Sequence, residues 1–382
     1  MMRSLSLPVS VVTIGLVTAT TLCCSDSAAP NPMAGRVGLG RAETVRAGSP
    51  DSARLSLTQP TLTPQQSGTT NRLQAISPVS PRVVWASGVG GTYAVTTDGG
   101  AHWRAGVVPG AETLQFRDVE GVSETVAYLL AAGSGEASRI YKTVDGGATW
   151  TLQFQNHDPD AFYDCFAFWS PTHGIAMSDA VNGRFPVIRT TDGTTWQDIG
   201  DRLPAAQSGE AAFAASGTCI AAQGGKRAWI ATGAAAKARV LATTDGGDTW
   251  AAAETPIVQG TGSSGGFSVA FRDPMHGILG GGELATPNDT TDDVARSSDG
   301  GATWQRASRV PFPGAVFGLS YVRGLGQTTV VATGPGGAAW TADEGDTWQS
   351  LPGVQNFWAV AFASPQAGWL VGTQGRILKI SF

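Results

Sequence analysis

The sequence contains few cysteines and few basic residues. Of its four cysteines, Cys23 and Cys24 end the apolar N-terminal segment, which leaves Cys165 and Cys219 in the rest of the chain. Two cysteines exclude a disulfide-rich scaffold and any four-cysteine metal site. With 25 Lys plus Arg against 30 Asp plus Glu, the net charge is −5 and there is no basic tract. Nucleic acid and anionic membrane surfaces are therefore poor partners for this chain.

Long apolar stretches are also absent, except at the start. Residues 5–22 carry no charge and follow a single Arg3, which is the outline of an export signal peptide. We predict that residues 1–24 are either a signal peptide or a lipoprotein signal, and lipid anchoring through Cys23 or Cys24 is left open. The protein is therefore expected to be exported, to the periplasm, to the cell exterior or to a membrane through a lipid anchor.

The segment that follows lacks an apolar pattern. Residues 25–52 are mainly Ala, Gly, Pro, Ser and Arg, and such a composition does not offset the entropy lost on ordering. A flexible linker is therefore predicted there. The folded domain is expected over residues 53–382.

The chain does contain a repeated turn motif, Thr/Ser-x-Asp-x-Gly-x-x-Trp. Its six copies have their aspartates at Asp98, Asp145, Asp192, Asp245, Asp299 and Asp343. Successive aspartates are 47, 47, 53, 54 and 44 residues apart. This spacing is the length of one four-stranded propeller blade.

The residue types of the motif suit a hairpin turn. Asp accepts hydrogen bonds from backbone amides just ahead of it in the chain, Gly supplies a positive φ, and Trp packs its indole between adjacent sheets. The motif is therefore predicted to be structural. The third copy has one residue fewer between Gly193 and Trp196, so a distorted turn is expected there.

A second pattern precedes each turn and sets the blade count. Apolar segments such as 269–274 and 360–365 align without gaps, and residues 114–118 and a shortened version at Phe213 fit the same frame. There are seven such inner-strand segments. Because the last repeat ends before its fourth strand, residues 54–58 are expected to supply that strand and close the ring. The sequence therefore predicts an all-β, seven-bladed β-propeller of four-stranded blades, closed by an N-terminal strand.

The turn motifs resemble the Asp-box (BNR) repeats of the sialidase superfamily, and we call them Asp boxes below. The seven-repeat layout over about residues 54–382 is similar to the propeller family of photosystem II assembly and stability factors. This resemblance implies a monomeric binding or assembly propeller whose partner is a protein complex. A photosynthetic role is not implied, because no arginine-rich patch like that of the photosynthetic members is visible. A glycan-active hydrolase of the sialidase superfamily, with a glycan as its ligand, is the alternative.

Catalytic residues are not identifiable from the sequence. A sialidase-like site implies an arginine triad, and the nearest match to that family's Arg-Ile-Pro signature is Arg184-Phe185-Pro186, in the third repeat. Arg117 and Arg272 each follow an inner-strand aromatic in the same frame, so a scaffold role is expected for both. No phosphate loop, dinucleotide fingerprint or His-Glu zinc motif is present, so no cofactor and no metal site are predicted.

The long departures from the repeat fall in blades three to five, in loops expected on the face opposite the Asp boxes. Insertions gathered on one face of a repeat protein commonly build its binding surface. The candidate ligand-binding residues are those that interrupt the repeat beside an expected channel mouth, namely Asp164, Asp179, Arg184 and Glu210. Hydrogen bonding that orders the insertions is their alternative role.

Two further features are left open. The acidic loop at residues 288–293 has oxygen ligands suited to Ca²⁺, and a solvated loop is the alternative. Cys165 and Cys219 are expected on or near the inner strands of neighbouring blades. They either pair in an oxidising compartment or remain buried thiols.

Overall fold

Short antiparallel strands make up nearly all of the regular structure in the computed structural model, which describes residues 59–382. The strands form seven four-stranded sheets. Each inner strand packs against the inner strands of the neighbouring blades, and the inner strand of the seventh blade packs against that of the first. The sheets therefore form a closed ring, and the prediction of an all-β, seven-bladed propeller is confirmed.

The blades follow one another along the chain. Blade one consists of β2 (Leu73–Pro78), β3 (Val84–Gly88), β4 (Thr92–Thr96) and β5 (Arg104–Val107), and blade two of β6 (Phe116–Gly121), β7 (Ala127–Ala131), β8 (Arg139–Thr143) and β9 (Thr151–Gln155). Blade three consists of β10 (Tyr163–Ser170), β11 (His173–Ser178), β12 (Val187–Thr190) and β13 (Gln197–Asp198), and blade four of β14 (Ile220–Gln223), β15 (Arg227–Ala231), β16 (Arg239–Thr243) and β17 (Ala251–Glu254). Blade five consists of β18 (Ser264–Phe271), β19 (Gly277–Glu283), β20 (Val294–Ser297) and β21 (Gln305–Arg306), and blade six of β22 (Gly318–Tyr321), β23 (Val330–Gly334), β24 (Gly337–Thr341) and β25 (Gln349–Ser350). Blade seven consists of β26 (Phe357–Ser364), β27 (Ala367–Gly372), β28 (Arg376–Ser381) and β1 (Thr61–Gln66). Short 3₁₀ turns occur at Gly135–Ala137, Gly200–Arg202 and Thr373–Gly375.

The ring is closed by the first described strand, as the sequence predicted, but by different residues. Strand β1, residues 61–66, pairs antiparallel with β28 as the outer strand of blade seven. The segment 54–58, which was expected to do this, lies outside the described residues, as do the predicted signal region and linker.

One side chain of β1 also joins blade seven to blade one. The side-chain oxygen of Gln65 accepts hydrogen bonds from the indole N–H of Trp103 at 3.0 Å and of Trp369 at 3.1 Å. Its amide nitrogen donates to the carbonyl of Gly99. Because Trp103 belongs to blade one and Trp369 to blade seven, Gln65 bridges the seam of the ring.

The Asp boxes form hairpin turns between the third and fourth strands of their blades. In the second copy, Asp145 Oδ1 accepts a hydrogen bond from the amide of Thr149 at 2.9 Å and one from the hydroxyl of Thr143 at 2.8 Å. The hydroxyl of Thr149 donates to the other carboxylate oxygen, and these bonds lower the pKa of Asp145 to about 2. The carboxylate therefore fixes the turn as an anion.

The third box differs as expected from its missing residue. Asp192 Oδ1 accepts hydrogen bonds from the amides of both Thr194 and Thr195, two and three positions later. In the full-length boxes the amide that corresponds to Thr195 lies four positions after the aspartate. The shorter loop keeps the contact by tightening the turn.

Candidate functional site

The two ends of the ring differ in what they carry. One end holds the Asp boxes and the turns between first and second strands, and we call it the Asp-box face. The other end holds the connections between blades and the loops between second and third strands, and we call it the channel-mouth face. The long insertions lie there, so the side chains at the start of each inner strand determine what this mouth can bind.

The inner strands share one irregularity near their start. In five of the seven blades, one residue is inserted into the pairing of the first strand with the second. The inserted residues are Gln74, Arg117, Asp164, Phe267 and Trp358. A β-bulge frees a side chain from the alternation of the strand and redirects it. In these five blades, the side chain at the bulged position therefore leaves the regular alternation of the strand.

Most of these redirected residues surround one cavity of ≈ 210 Å³ at the channel mouth. We call the following seven lining residues the collar: Arg72, Gln74, Arg117, Phe213, Phe267, Phe317 and Trp358. They come from six of the seven blades, so the collar exists only when the ring is assembled.

One half of the collar is aromatic. The rings of Phe213 and Phe267 have centroids 4.2 Å apart, those of Phe267 and Phe317 are 6.0 Å apart, and those of Phe317 and Trp358 are 5.8 Å apart. Leu284, which also lines the cavity, is 44% exposed and extends this surface outward. The four rings form a continuous apolar wall, although they come from four different blades.

The other half of the collar is cationic. The guanidinium of Arg72 lies 5.1 Å from the ring centroid of Trp358. Arg117 donates hydrogen bonds to the side-chain oxygen of Gln115 at 2.9 Å and to the carbonyl of Ala214 at 3.2 Å. Within residues 59–382, neither arginine has a carboxylate partner within ion-pair distance. Among the described residues, no direct ion pair therefore neutralises the positive charge at the mouth.

Two of the predicted site residues meet behind this collar. The buried carboxyl of Asp164 is in hydrogen-bonding contact with that of Asp179, and Asp179 also accepts a hydrogen bond from the amide of Ala212. Burial, followed by the charge of Asp179, raises the pKa of Asp164 well above its usual value, whereas burial raises the pKa of Asp179 to about 6. Arg117 lies close enough to favour the charged form of Asp164.

Glu210 lies on a loop beside this pair, but its carboxylate turns away. The side chain is fully buried and forms an ion pair with Arg239. It also accepts hydrogen bonds from the hydroxyl of Thr232 at 2.6 Å and the amide of Gln207 at 2.8 Å. These contacts fasten the insertion at residues 198–211 to blade four. Removal of the carboxylate would leave Arg239 without its charged partner, which is costly.

Arg184 lies apart from the other three candidates. Its side chain is 36% exposed, and its guanidinium pairs with Asp198 at 2.7 Å and Asp201 at 2.5 Å. Asp198 is the last residue of the outer strand β13, and Asp201 lies in the 3₁₀ turn that follows it. Both partners therefore lie away from the inner strands. The structure thus brings Asp164 and Asp179 together, places the Glu210 backbone next to them, and leaves Arg184 outside.

The collar is not among the residues predicted from the sequence, because the predicted alignment of the inner strands is wrong. Arg117 and Arg272 are not repeat equivalents, since Arg117 is the second residue of β6 and Arg272 follows the last residue of β18. They lie at opposite ends of their inner strands. Likewise, Phe213 does not mark the fourth inner strand, which is formed by residues 220–223.

The correct frame was visible in the sequence. Each inner strand has a small or compact residue followed by an apolar one, as in Ala75-Ile76, Ser268-Val269 and Ala359-Val360. The position before this pair varies from blade to blade, and it is the bulged position. One variable position in an otherwise regular repeat was the signal for the site.

The channel itself is polar and acidic. Asp118 and Glu120 line an interior cavity of ≈ 340 Å³ together with Arg323. Burial raises the pKa of Glu120 to about 7, and Asp118, which accepts hydrogen bonds from the amides of Val119 and Phe166, also has a raised pKa because it is buried. A larger pocket of ≈ 740 Å³ lies on the Asp-box face beside Arg272.

Among the described residues, no group of three or more His, Cys, Asp or Glu is placed to hold a metal ion. In the acidic loop, Asp289 accepts a hydrogen bond from the amide of Thr291, Asp292 pairs with Arg306, and Asp293 is buried. In the same part of the chain, no helix has the length and apolar character needed to cross a membrane.

Cys165 and Cys219 form a disulfide between blades three and four, with Cα atoms 6.2 Å apart. Of the two alternatives predicted from the sequence, the structure therefore shows the disulfide and not two buried thiols. Cys165 directly follows the bulged Asp164, and Cys219 ends the loop that carries Phe213. The bond thus ties two parts of the channel mouth together.

Reduction of this disulfide is expected to lower the free energy of unfolding by about 2–4 kcal/mol, because the unfolded chain regains entropy. Thermal melts with and without reductant measure the effect, and peptide mapping of unreduced protein identifies the cross-linked pair. A Cys165→Ser/Cys219→Ser variant is the control, and its melting temperature should not respond to reductant. Recovery of both peptides as free thiols from unreduced protein would contradict the pairing.

No protein-family model and no curated protein matches this sequence. Solved structures with the same fold include a protein described as "YCF48 bound to D1 peptide", with 16% identity, a TM-score of 0.57 and coverage of 86% of this chain and 97% of that one. YCF48 from Cyanidioschyzon merolae has 17% identity, a TM-score of 0.59 and coverage of 84% and 98%. The GH74 enzyme of Niastella koreensis has 16% identity and a TM-score of 0.56, and the match covers 83% of this chain and 53% of that one. At these identities the likeness concerns the propeller fold.

Proposed function

We propose that this chain is an exported, monomeric binding propeller that holds a segment of a protein partner at its channel-mouth face and acts as an assembly or stability factor for it. The observation that carries the proposal is the collar. Its aromatic and arginine side chains come from the bulged starts of inner strands and from the connections that precede them. These are the residue types that dominate the energetics of protein interfaces.

The placement of the collar supports recognition rather than a structural role. Phe317 and Trp358 remain half-buried, and Leu284 beside them is exposed. In a core these side chains would be covered by neighbouring residues, as the indoles of Trp85 and Trp229 are. A partially exposed aromatic wall at a concave mouth offers an apolar segment a surface to bury.

Two further points support export and a peptide-like occupant. A stable disulfide is typical of oxidising compartments, and Cys165–Cys219 joins two blades of this propeller. In addition, one protein of the same fold has been solved with a bound peptide. Both points agree with an exported propeller that binds a protein segment.

The test is capture of a partner from a host envelope extract by the purified chain. Ala substitution of both Phe317 and Trp358 is expected to weaken capture at least about 30-fold, since residues at the centre of an interface contribute about 2 kcal/mol or more. Quantitative mass spectrometry of the captured proteins measures this. The matched control is Met275→Ala, which removes an exposed apolar side chain from the Asp-box face.

The outcome that contradicts the proposal is equally specific. If the double variant captures the same partner as the unchanged chain while Met275→Ala loses it, the working face is the Asp-box face. Circular dichroism of each variant separates loss of binding from loss of fold.

The alternative is a glycan-active hydrolase, and the fold likeness to a GH74 enzyme is the reason to consider it. Glycoside hydrolases place their two carboxyl groups about 5–9.5 Å apart. Asp164 and Asp179, the paired carboxyls nearest the mouth, are in direct hydrogen-bonding contact and mostly buried. This geometry favours binding over hydrolysis. Release of reducing sugar or sialic acid from glycans by the unchanged chain, lost in Asp164→Asn, would support the alternative instead.

A further inference from the structure

The collar contains a buried hydrogen-bond donor without a partner. Arg72 lines the cavity, and its Nε atom is buried without a hydrogen-bond partner among residues 59–382. A buried polar atom without a partner costs about 1–3 kcal/mol. The missing partner of this donor is an acceptor atom, which a bound ligand can supply.

The charges around the cavity show the sign of that ligand. Arg72 and Arg117 lie near enough for their like charges to repel, and no carboxylate from residues 59–382 lines the cavity. By comparison, Arg184 and Arg239 on the flanking loops each pair directly with an acidic side chain. The guanidinium group of arginine offers N–H donors that suit the oxygens of an anion.

The aromatic side of the cavity indicates which chemical group accompanies the anion in the ligand. Phe213, Phe267, Phe317 and Trp358 face the arginines, and the cavity measures ≈ 210 Å³. Since a liquid water occupies about 30 Å³, this space accommodates one ring-sized group together with a small charged group. A singly charged carboxylate also costs less to remove from water than a doubly charged phosphate, which favours the carboxylate beside apolar walls.

We infer that the collar is a recognition site for a carboxylate that carries an aromatic or bulky apolar group, with Arg72 and Arg117 holding the carboxylate and the aromatic wall holding the apolar group. This inference rests on the proposed binding function and specifies its chemistry. Such a carboxylate is present both on small aromatic acids and at the C-terminus of a peptide that ends in an apolar residue.

The test is isothermal titration of the full chain with matched probes. N-acetyl-phenylalanine is expected to bind, whereas its neutral amide should bind at least about 10-fold more weakly, because a hydrogen bond to a charged group contributes about 1.5–3 kcal/mol. Inorganic phosphate tests the charge alone. A hexapeptide with a C-terminal phenylalanine separates the two sources, since it binds more tightly than N-acetyl-phenylalanine only if the site serves a chain end.

Variants connect the result to the named residues. Arg117→Gln and Arg72→Gln are each expected to weaken binding of N-acetyl-phenylalanine by about 10- to 100-fold. Arg72→Lys should retain part of the affinity because it keeps the charge. The matched control is Arg82→Gln, which removes an exposed guanidinium on the Asp-box side of blade one.

Each outcome decides for or against the inference. Equal binding of acid and amide, tighter binding of phosphate than of the acid, or full affinity in folded Arg117→Gln overturns it. The proposed function can still stand in that case, because partner capture that depends on Phe317 and Trp358 does not require a carboxylate. Conversely, binding of the acid without capture of any partner supports this site and contradicts the proposed assembly role.

Discussion

A chain that begins at Ser67 is expected to lose the closed propeller, whereas a chain that begins at Gln59 should keep it. The shorter chain lacks β1, so β28 becomes an unpaired sheet edge, and such edges invite aggregation. It also lacks Gln65, which accepts hydrogen bonds from indoles on both sides of the seam. Size-exclusion chromatography and calorimetry of the two chains measure the difference.

Addition of a synthetic peptide covering residues 59–68 provides the control for this experiment. The peptide should restore a monomeric species with a cooperative melting transition, because it supplies the missing strand in trans. A single substitution, Gln65→Ala, should have an intermediate effect, since it removes the bridge across the seam and keeps the backbone pairing. Identical melting of both truncated chains would show that β1 does not close the ring.

The second large effect is expected for Trp304→Ala in the fifth Asp box. Trp304 is 8% exposed and packs edge-on against Phe271 at 5.9 Å, and Phe271 stacks on Trp229 of blade four at 3.6 Å. Loss of the indole leaves a cavity between two blades and should lower the free energy of unfolding by about 3–5 kcal/mol. Chemical denaturation measures this value.

Leu152→Ala is the matched control for that substitution. Leu152 follows the second Asp box and its side chain is 43% exposed, so the change should remain within about 0.5 kcal/mol. If Trp304→Ala and Leu152→Ala unfold at the same denaturant concentration, the indole does not hold neighbouring blades together.

The fold was predictable from the sequence because the same turn motif recurs in six of the seven blades. Each Asp box pairs a turn-forming aspartate with a tryptophan, at the same offset in five of the six copies, and the six copies make the period measurable. The closing strand was harder to place, because residues 61–66 are mostly exposed and carry no apolar alternation. The ladder to β28 and the position of Gln65, rather than local hydrophobicity, set its register.

The site was less predictable because a bulge changes direction without changing composition. In the sequence, Glu210 and Arg184 resemble unpaired polar residues of the insertions. In the structure, Glu210 forms an ion pair with Arg239. Arg184 forms ion pairs with Asp198 and Asp201. Residues such as Phe267 and Trp358 looked like ordinary strand hydrophobics. Only the slip in pairing with the second strand shows that they have left the alternation.

The closing strand also has a consequence for the order of folding. Thr61 pairs with Ser381, 320 residues later in the chain, so the first strand of the propeller cannot pair until that segment is available. Long-range pairing of this kind is slow, because the entropy of closing the loop is lost before the contacts form. During synthesis the strand β1 remains unpaired until β28 has emerged, and the collar, which draws on six blades, is completed only as the ring closes. Binding at the mouth is therefore expected only after all seven blades have been made.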